Sequence, residues 1–151
     1  MIKITFENKN ELNEIYFHDC CFYDYSYSYG ERTITLSCDN DWLKRAYQIR
    51  FNNVVYHEMI GCCFWGENNC YINWAGYSPC EDIVEKLSQL QAKTDEQMVS
   101  NNKKNVSNPA FLLEKSKWNS GIRYVPMLFE FASGDTLIIL AEEIFIEVQE
   151  W

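Results

Sequence analysis

The side chains with reactive potential in this chain are seven cysteines and two histidines. The cysteines fall as Cys20-Cys21, Cys38, Cys62-Cys63, Cys70 and Cys80, with His18 two residues before the first doublet. A structural zinc site draws on thiolates and imidazoles at chelating separations, typically a C-x-x-C pair matched by a second pair. Neither pattern is present. Adjacent cysteines on a strand point to opposite faces, so neither doublet chelates by itself. His18 and Cys20 share a face, and His57 precedes Cys62-Cys63, so a metal site would have to be assembled in space. Small thiols filling a β core account for the same residues, and no metal or cofactor is expected.

His18-Asp19 beside Cys20 or Cys21 holds the residue types of a nucleophile and its base. On a strand the two would face opposite ways and could not orient each other as a triad does. The period of two puts Asp19 on the inward Tyr23 face, where it needs a hydrogen-bond partner. A structural role at the strand entry therefore ranks above catalysis. None of the six glycines stands in a G-x-G-x-x-G or G-x-x-x-x-G-K arrangement, so a nucleotide cofactor is not expected. Paired carboxylates for glycoside hydrolysis are defined by separation in space and leave no signature in sequence. Asn105-Val106-Ser107 has the form of a glycosylation acceptor, which means little without a secretory signal.

Charge is the broader clue. The formal net charge is −9, from 22 acidic and 13 basic residues. That balance repels phosphate backbones and anionic membrane surfaces, so neither nucleic acid nor membrane is an expected partner. From Tyr124 to Trp151 there are six acidic residues and no basic ones: Asp135, Glu142, Glu143, Glu147, Glu150 and Glu130. If the last strand lies at a sheet edge, its carboxylates either guard that edge against aggregation or form a docking surface for a basic protein. On the second reading Phe145, Trp151 and Trp118 serve as apolar anchors.

These groups must be positioned by a β-rich scaffold. At 151 residues the chain has the length of one domain, able to bury about 70% of its unfolded surface. Its aromatic fraction of 16% suits strands and a large core. The clearest element is a hairpin over Phe22–Asp39. Tyr23, Tyr25, Tyr27 and Tyr29 alternate with polar residues, then Ile34, Leu36 and Cys38 do the same. A two-residue Gly30-Glu31 turn of type II′ predicts pairs Tyr29–Arg32, Tyr27–Ile34, Tyr25–Leu36 and Tyr23–Cys38, all apolar partners on one face. The first strand of this hairpin is expected to start near Ile15.

Residues 1–6 read as a strand, and Glu7–Glu14 as a turn or short helix. Tyr47, Ile49 and Phe51 mark another strand, with a turn or bulge at Asn52-Asn53. Val54–Ile60, Cys62–Trp65 and Cys70–Ala75 read as further strands. Ser78-Pro79-Cys80-Glu81 is a capping box with proline at the first helical position. Ile83, Leu87, Leu90, Thr94 and Met98 then make the apolar stripe of an amphipathic helix expected to pack on the sheet. Ser100–Asn108 reads as a flexible loop, and Asn108-Pro109 as the cap of a short helix carrying Phe111, Leu112 and Leu113. Met127–Phe131, a Ser133-Gly134-Asp135 turn, Leu137–Ala141 as a central strand apolar on both faces, and Ile144–Val148 complete the chain. The predicted fold is α+β, a mainly antiparallel sheet or half-barrel with one amphipathic helix across it. No segment has the length of a membrane-spanning helix and the N-terminus lacks a signal core, so a cytoplasmic location with reduced thiols is expected.

His18-Asp19-Cys20-Cys21-Phe22, the hairpin behind it, Phe51-Asn52-Asn53-Val54, and the Phe129–Ile146 stretch with its Ser133-Gly134-Asp135 turn resemble small bacterial β-rich proteins of the polymorphic-toxin immunity type. The resemblance covers about half the chain. It implies a cytoplasmic, non-enzymatic protein that neutralises a toxin by binding it, and carries over no catalytic residues. The competing expectation is a small-molecule binder or enzyme with a pocket between the aromatic sheet face and the Ile83–Met98 helix. An exposed edge strand would also permit a homodimer.

Overall fold

The computed structural model describes residues 1–61, 70–102 and 122–151. The chain divides into two compact units, Met1–Ser78 with Arg123–Trp151, and Pro79–Ile122. Among the described residues, the first unit carries all the β structure. Its strands are β1 (Ile2–Ile4), β2 (Cys21–Ser28), β3 (Thr33–Asn40), β4 (Arg45–Ile60), β5 (Ile72–Tyr77), β6 (Val125–Phe131) and β7 (Thr136–Glu150). They form one antiparallel sheet in the order β2-β3-β4-β7-β6-β5, with β1 also paired to β7.

The hairpin register follows the sequence in its middle: Tyr25 faces Leu36 and Tyr27 faces Ile34. Both ends differ. The strands close at Ser28–Thr33, so Tyr29 and Arg32 belong to a four-residue turn, and the left-handed residue is Arg32 (φ 52°) rather than Gly30. At the other end a bulge at Tyr23 pairs Phe22 with Cys38. The extra residue reverses the side-chain alternation. Phe22 turns to the core, with its ring 4.9 Å from Phe131, while Tyr23 is 66% exposed. The strand begins only at Cys21, because His18 and Asp19 form a turn in which Asp19 is left-handed (φ 63°).

The inner face is built from cross-strand rows. One runs Tyr27–Ile34–Phe51–Ile144–Ile4 through β2, β3, β4, β7 and β1. The next runs Tyr25–Leu36–Ile49–Ile146–Ile2. Such rows are the unit of sheet stabilisation, and here they merge with Leu12, Phe17, Ile72, Met127 and Phe129 into a single core cluster. A 3₁₀ segment over Phe6–Glu14 delivers Leu12 to that core, starting from a Thr5–Asn8 capping box. Asn13 then accepts the Tyr77 N–H at 2.9 Å, tying this segment to β5.

Strand β4 is one continuous element of 16 residues, not two. Asn53 is left-handed (φ 50°), and the register against β7 slips by one residue between Val54 and Tyr56. Leu137–Ala141 is buried on both faces between β4 and β6, as its uninterrupted apolar run predicts. The expected edge position of the last strand is corrected: β7 is central, flanked by β4 along its length and by β6 and then β1 on the other side. The alternation of buried Ile144 and Ile146 with less buried Phe145 and Glu147 records a strand with one wet face, which a central strand of an antiparallel sheet also has. The outermost strands β2 and β5 themselves meet at one end. Cys21 bridges Tyr71 there, Phe22 N–H donates to the Cys70 carbonyl and Ile72 N–H to the Cys20 carbonyl, each at 2.9 Å.

In the second unit α1 spans Glu81–Asn102. Pro79 lies outside the helix, and Cys80 (φ 44°) is the residue whose carbonyl takes the first helical N–H of Val84 at 3.1 Å. Ile83, Val84 and Leu87 are half-buried. Ser100–Asn102, read from sequence as loop, are helical, whereas 103–108 lie outside the described residues. So do Cys62–Trp65, Phe111–Leu113 and Trp118. Among the described residues no helix is long and apolar enough to cross a membrane.

Candidate functional site

The outer face of β2, β3, β4 and β7 carries a polar trough. Two cross-strand rows build it. Asp24–Ser37–Gln48–Glu147 is one, and Ser26–Thr35–Arg50–Phe145–Lys3 the other. The register that turns Leu36, Ile49 and Ile146 inward necessarily turns these residues out. All of them except Lys3 line an open hollow of about 420 Å³, to which Met1 also contributes. A second hollow of about 140 Å³ adjoins it through Ser37 and Gln48 and adds Tyr23, Asp39 and Gln149. Three carboxylates (Asp24, Asp39, Glu147) and one guanidinium (Arg50) line the two hollows.

Local contacts organise this face. Phe145 is half-buried at the floor, and Arg50 and Lys3 lie over its ring at 5.2 and 5.6 Å, the cation–π geometry. Lys3 also pairs with Glu143 at 2.9 Å. The Tyr23 hydroxyl lies 3.4 Å from both carboxylate oxygens of Asp39. Its pKa is pushed up to about 12, first by the neighbouring Cys21 sulfur and then by the charge on Asp39.

The partner-binding residues expected from sequence separate into groups. Phe145 and Glu147 line the trough, and Glu143 flanks it through Lys3. Glu142 is half-buried and accepts the Asn53 amide at 2.8 Å. Glu150 is exposed but paired with Arg45 at 2.9 Å. Asp135 is corrected: at 9% exposure it is buried in the β6–β7 turn, close against Gly61, and presents no outward carboxylate. Phe145 is likewise a covered floor under two cations, not a protruding anchor. Trp151 is 59% exposed, and its N–H donates to the Lys44 carbonyl at 3.1 Å.

That bond places Trp151 beside the β3–β4 turn, where Trp42 stands 90% exposed. Sequence reading missed Trp42. The signal was Asn40-Asp41 ahead of it, which is turn chemistry, and a large indole carried on a turn has little apolar cover. It also missed Asp24, Ser26, Thr35 and Ser37 as a surface, although they are the polar members of the hairpin's own alternation.

Among the described residues, the groups considered for catalysis or metal binding meet at most in pairs and do not gather into one site. His18 contacts Asp19 at 3.0 Å, which a strand would have forbidden and the turn permits; both are exposed, so the expected inward Asp19 is corrected too. His57 lies in the second half of β4 with its ring 5.8 Å from Tyr25 and 4.3 Å from Tyr27, and burial pushes its pKa down. Among the described residues no three His, Cys, Asp or Glu side chains form a metal-sized cluster; Cys62 and Cys63 lie outside them. What the outer face can offer is hydrogen bonding and negative charge over an area several side chains wide. Comparison with protein-family models, curated proteins and solved structures gives no match to this chain.

Proposed function

We propose that this protein is a non-enzymatic protein-binding module, of the kind implied by the immunity-type resemblance, which docks a basic partner on the outer face of β2, β3, β4 and β7. The observation that carries this reading is the row Asp24–Ser37–Gln48–Glu147, which brackets hydroxyl and amide groups between two carboxylates in an open trough. An Arg or Lys side chain of the partner would find charge-assisted acceptors there, and Ser37 and Gln48 would fix its orientation. The surplus of negative charge would speed encounter, while exposed Trp42 and Trp151 supply the aromatic area that holds complexes together.

The test is affinity. Tagged protein is used to recover its partner from native extract, and the purified pair is titrated with wild type and with the Asp24→Lys/Glu147→Lys double variant. The reading expects a basic partner and a loss of about tenfold or more in affinity, mainly through slower association and steeper at low salt. Unchanged affinity in a folded double variant overturns the trough as the docking site. A small molecule held at stoichiometric occupancy in the native mass spectrum overturns the protein-binding reading altogether.

A further inference from the structure

A different place in the fold, independent of the docking face, carries its own chemistry. The Sγ atoms of Cys21 and Cys70 lie 2.9 Å apart where β2 and the residues leading into β5 meet, against about 2.05 Å in a formed disulfide. The backbone around them is already fixed. Phe22 N–H to Cys70 O, Ile72 N–H to Cys20 O and Asp19 N–H to Ile72 O are all 2.9 Å. Next to this seam, Ala132 N–H holds the Tyr71 carbonyl at 2.8 Å. A short approach of the two sulfurs therefore suffices, with no rearrangement of strands.

We propose that Cys21 and Cys70 are a redox modification site, a dithiol that a small-molecule disulfide such as oxidised glutathione converts into an intrachain disulfide locking the seam between the outermost strands. One thiolate of the pair attacks the small disulfide, forming a mixed disulfide and releasing one glutathione thiolate. The second thiolate then displaces the other glutathione. The two cysteines lose two electrons and two protons, and one glutathione disulfide becomes two glutathione thiols.

The other described cysteines are worse placed. Cys20 and Cys38 share a side-chain hydrogen bond but are buried in the core, away from a solution oxidant. Cys80 belongs to the other unit. The Cys21 thiol is itself held protonated, its pKa pushed up to about 11 first by burial and then by the contact with Cys70. Oxidation should therefore quicken as pH rises, since the thiolate is the attacking species. The bond would span 49 residues of chain, a long loop whose closure restricts the unfolded state.

The experiment treats the whole folded chain with oxidised glutathione, then alkylates the remaining thiols and maps cross-linked peptides. The expected result is an intact mass lower by two hydrogens, a cross-link between the Cys20-Cys21 peptide and the peptide containing Cys70, and a melting temperature raised by several degrees. Single Cys→Ser variants assign it. C21S and C70S abolish the cross-link, while C20S, C62S and C63S retain it. Persistence in C21S or C70S overturns the proposal, as does full alkylation of the wild type after oxidation, a result that needs no variant to fold.

Discussion

The side-chain amide of Asn40 donates to the main-chain carbonyl of His18 at 3.0 Å. Its oxygen accepts the Leu43 N–H at 2.8 Å, so one 2%-exposed residue joins the turn before β2 to the turn after β3. Nearby the Tyr47 hydroxyl donates to the Tyr16 carbonyl at 3.0 Å. Together these bonds anchor the irregular Ile15–Cys20 segment to the sheet. Asn40→Ala leaves the His18 carbonyl and the Leu43 N–H without their partner in two part-buried bonds, which costs about 1–3 kcal/mol. The midpoint of urea unfolding should fall accordingly with an unchanged slope. A loss below about 0.5 kcal/mol, the scatter of ordinary surface substitutions, would mean that water replaces both bonds.

Phe129 and Trp42 have opposite environments. Phe129 is fully buried, with its ring 6.4 Å from Phe131. Phe129→Ala should cost about 3–5 kcal/mol through lost burial and the cavity left behind. Trp42→Ala should change stability by no more than about 0.5 kcal/mol, yet weaken the proposed complex by about 2 kcal/mol if the indole is an interface anchor. Thermal melts of both variants and a titration of Trp42→Ala separate the two roles. A folded Trp42→Ala with wild-type affinity removes the β3–β4 turn from the interface.

His57 supplies a pH dependence whose sign is fixed by burial. Its folded pKa lies below the ordinary 6.5, so between those two values the unfolded chain binds a proton that the folded chain refuses. The stability contribution is complete above about 6.5 and is lost as pH falls through the lowered folded value. His57→Gln should flatten that acid-side decline in unfolding free energy measured between neutral pH and pH 5. An identical slope in the variant would assign the decline to other groups.

Much of the sheet is legible in the chain because strand periodicity is a local property. Tyr25–Tyr27 and Ile34–Leu36 alternate with hydroxyl residues, so their pairing and their inward face follow from residue type alone. The apolar run Leu137–Ile138–Ile139–Leu140–Ala141 likewise announces a strand covered on both sides, and Ser133-Gly134-Asp135 its turn. The same residues say nothing about neighbours. Glu143 and Glu147 alternate with Ile144, Ile146 and Val148 whether β7 is an edge or a centre, and only the pairing with β1, β4 and β6 decides between them.

Sequence by itself determined the antiparallel β-rich class, the α1 segment, the inward residues of β3, of the middle of β2 and of the first half of β4, and the acidic surplus, because burial and charge act on residues one at a time. Tertiary structure alone decided the rest. The bulge at Tyr23 exchanges Phe22 for Tyr23 at the core, and the turn at His18-Asp19 brings side chains together that a strand would part. The register across four strands gathers Asp24, Ser37, Gln48 and Glu147, over a hundred positions apart in the chain, into one row. The meeting of β2 with the residues before β5 sets Cys21 against Cys70. Each depends on which strand lies beside which, a choice made by the fit of the whole core and written in no single segment.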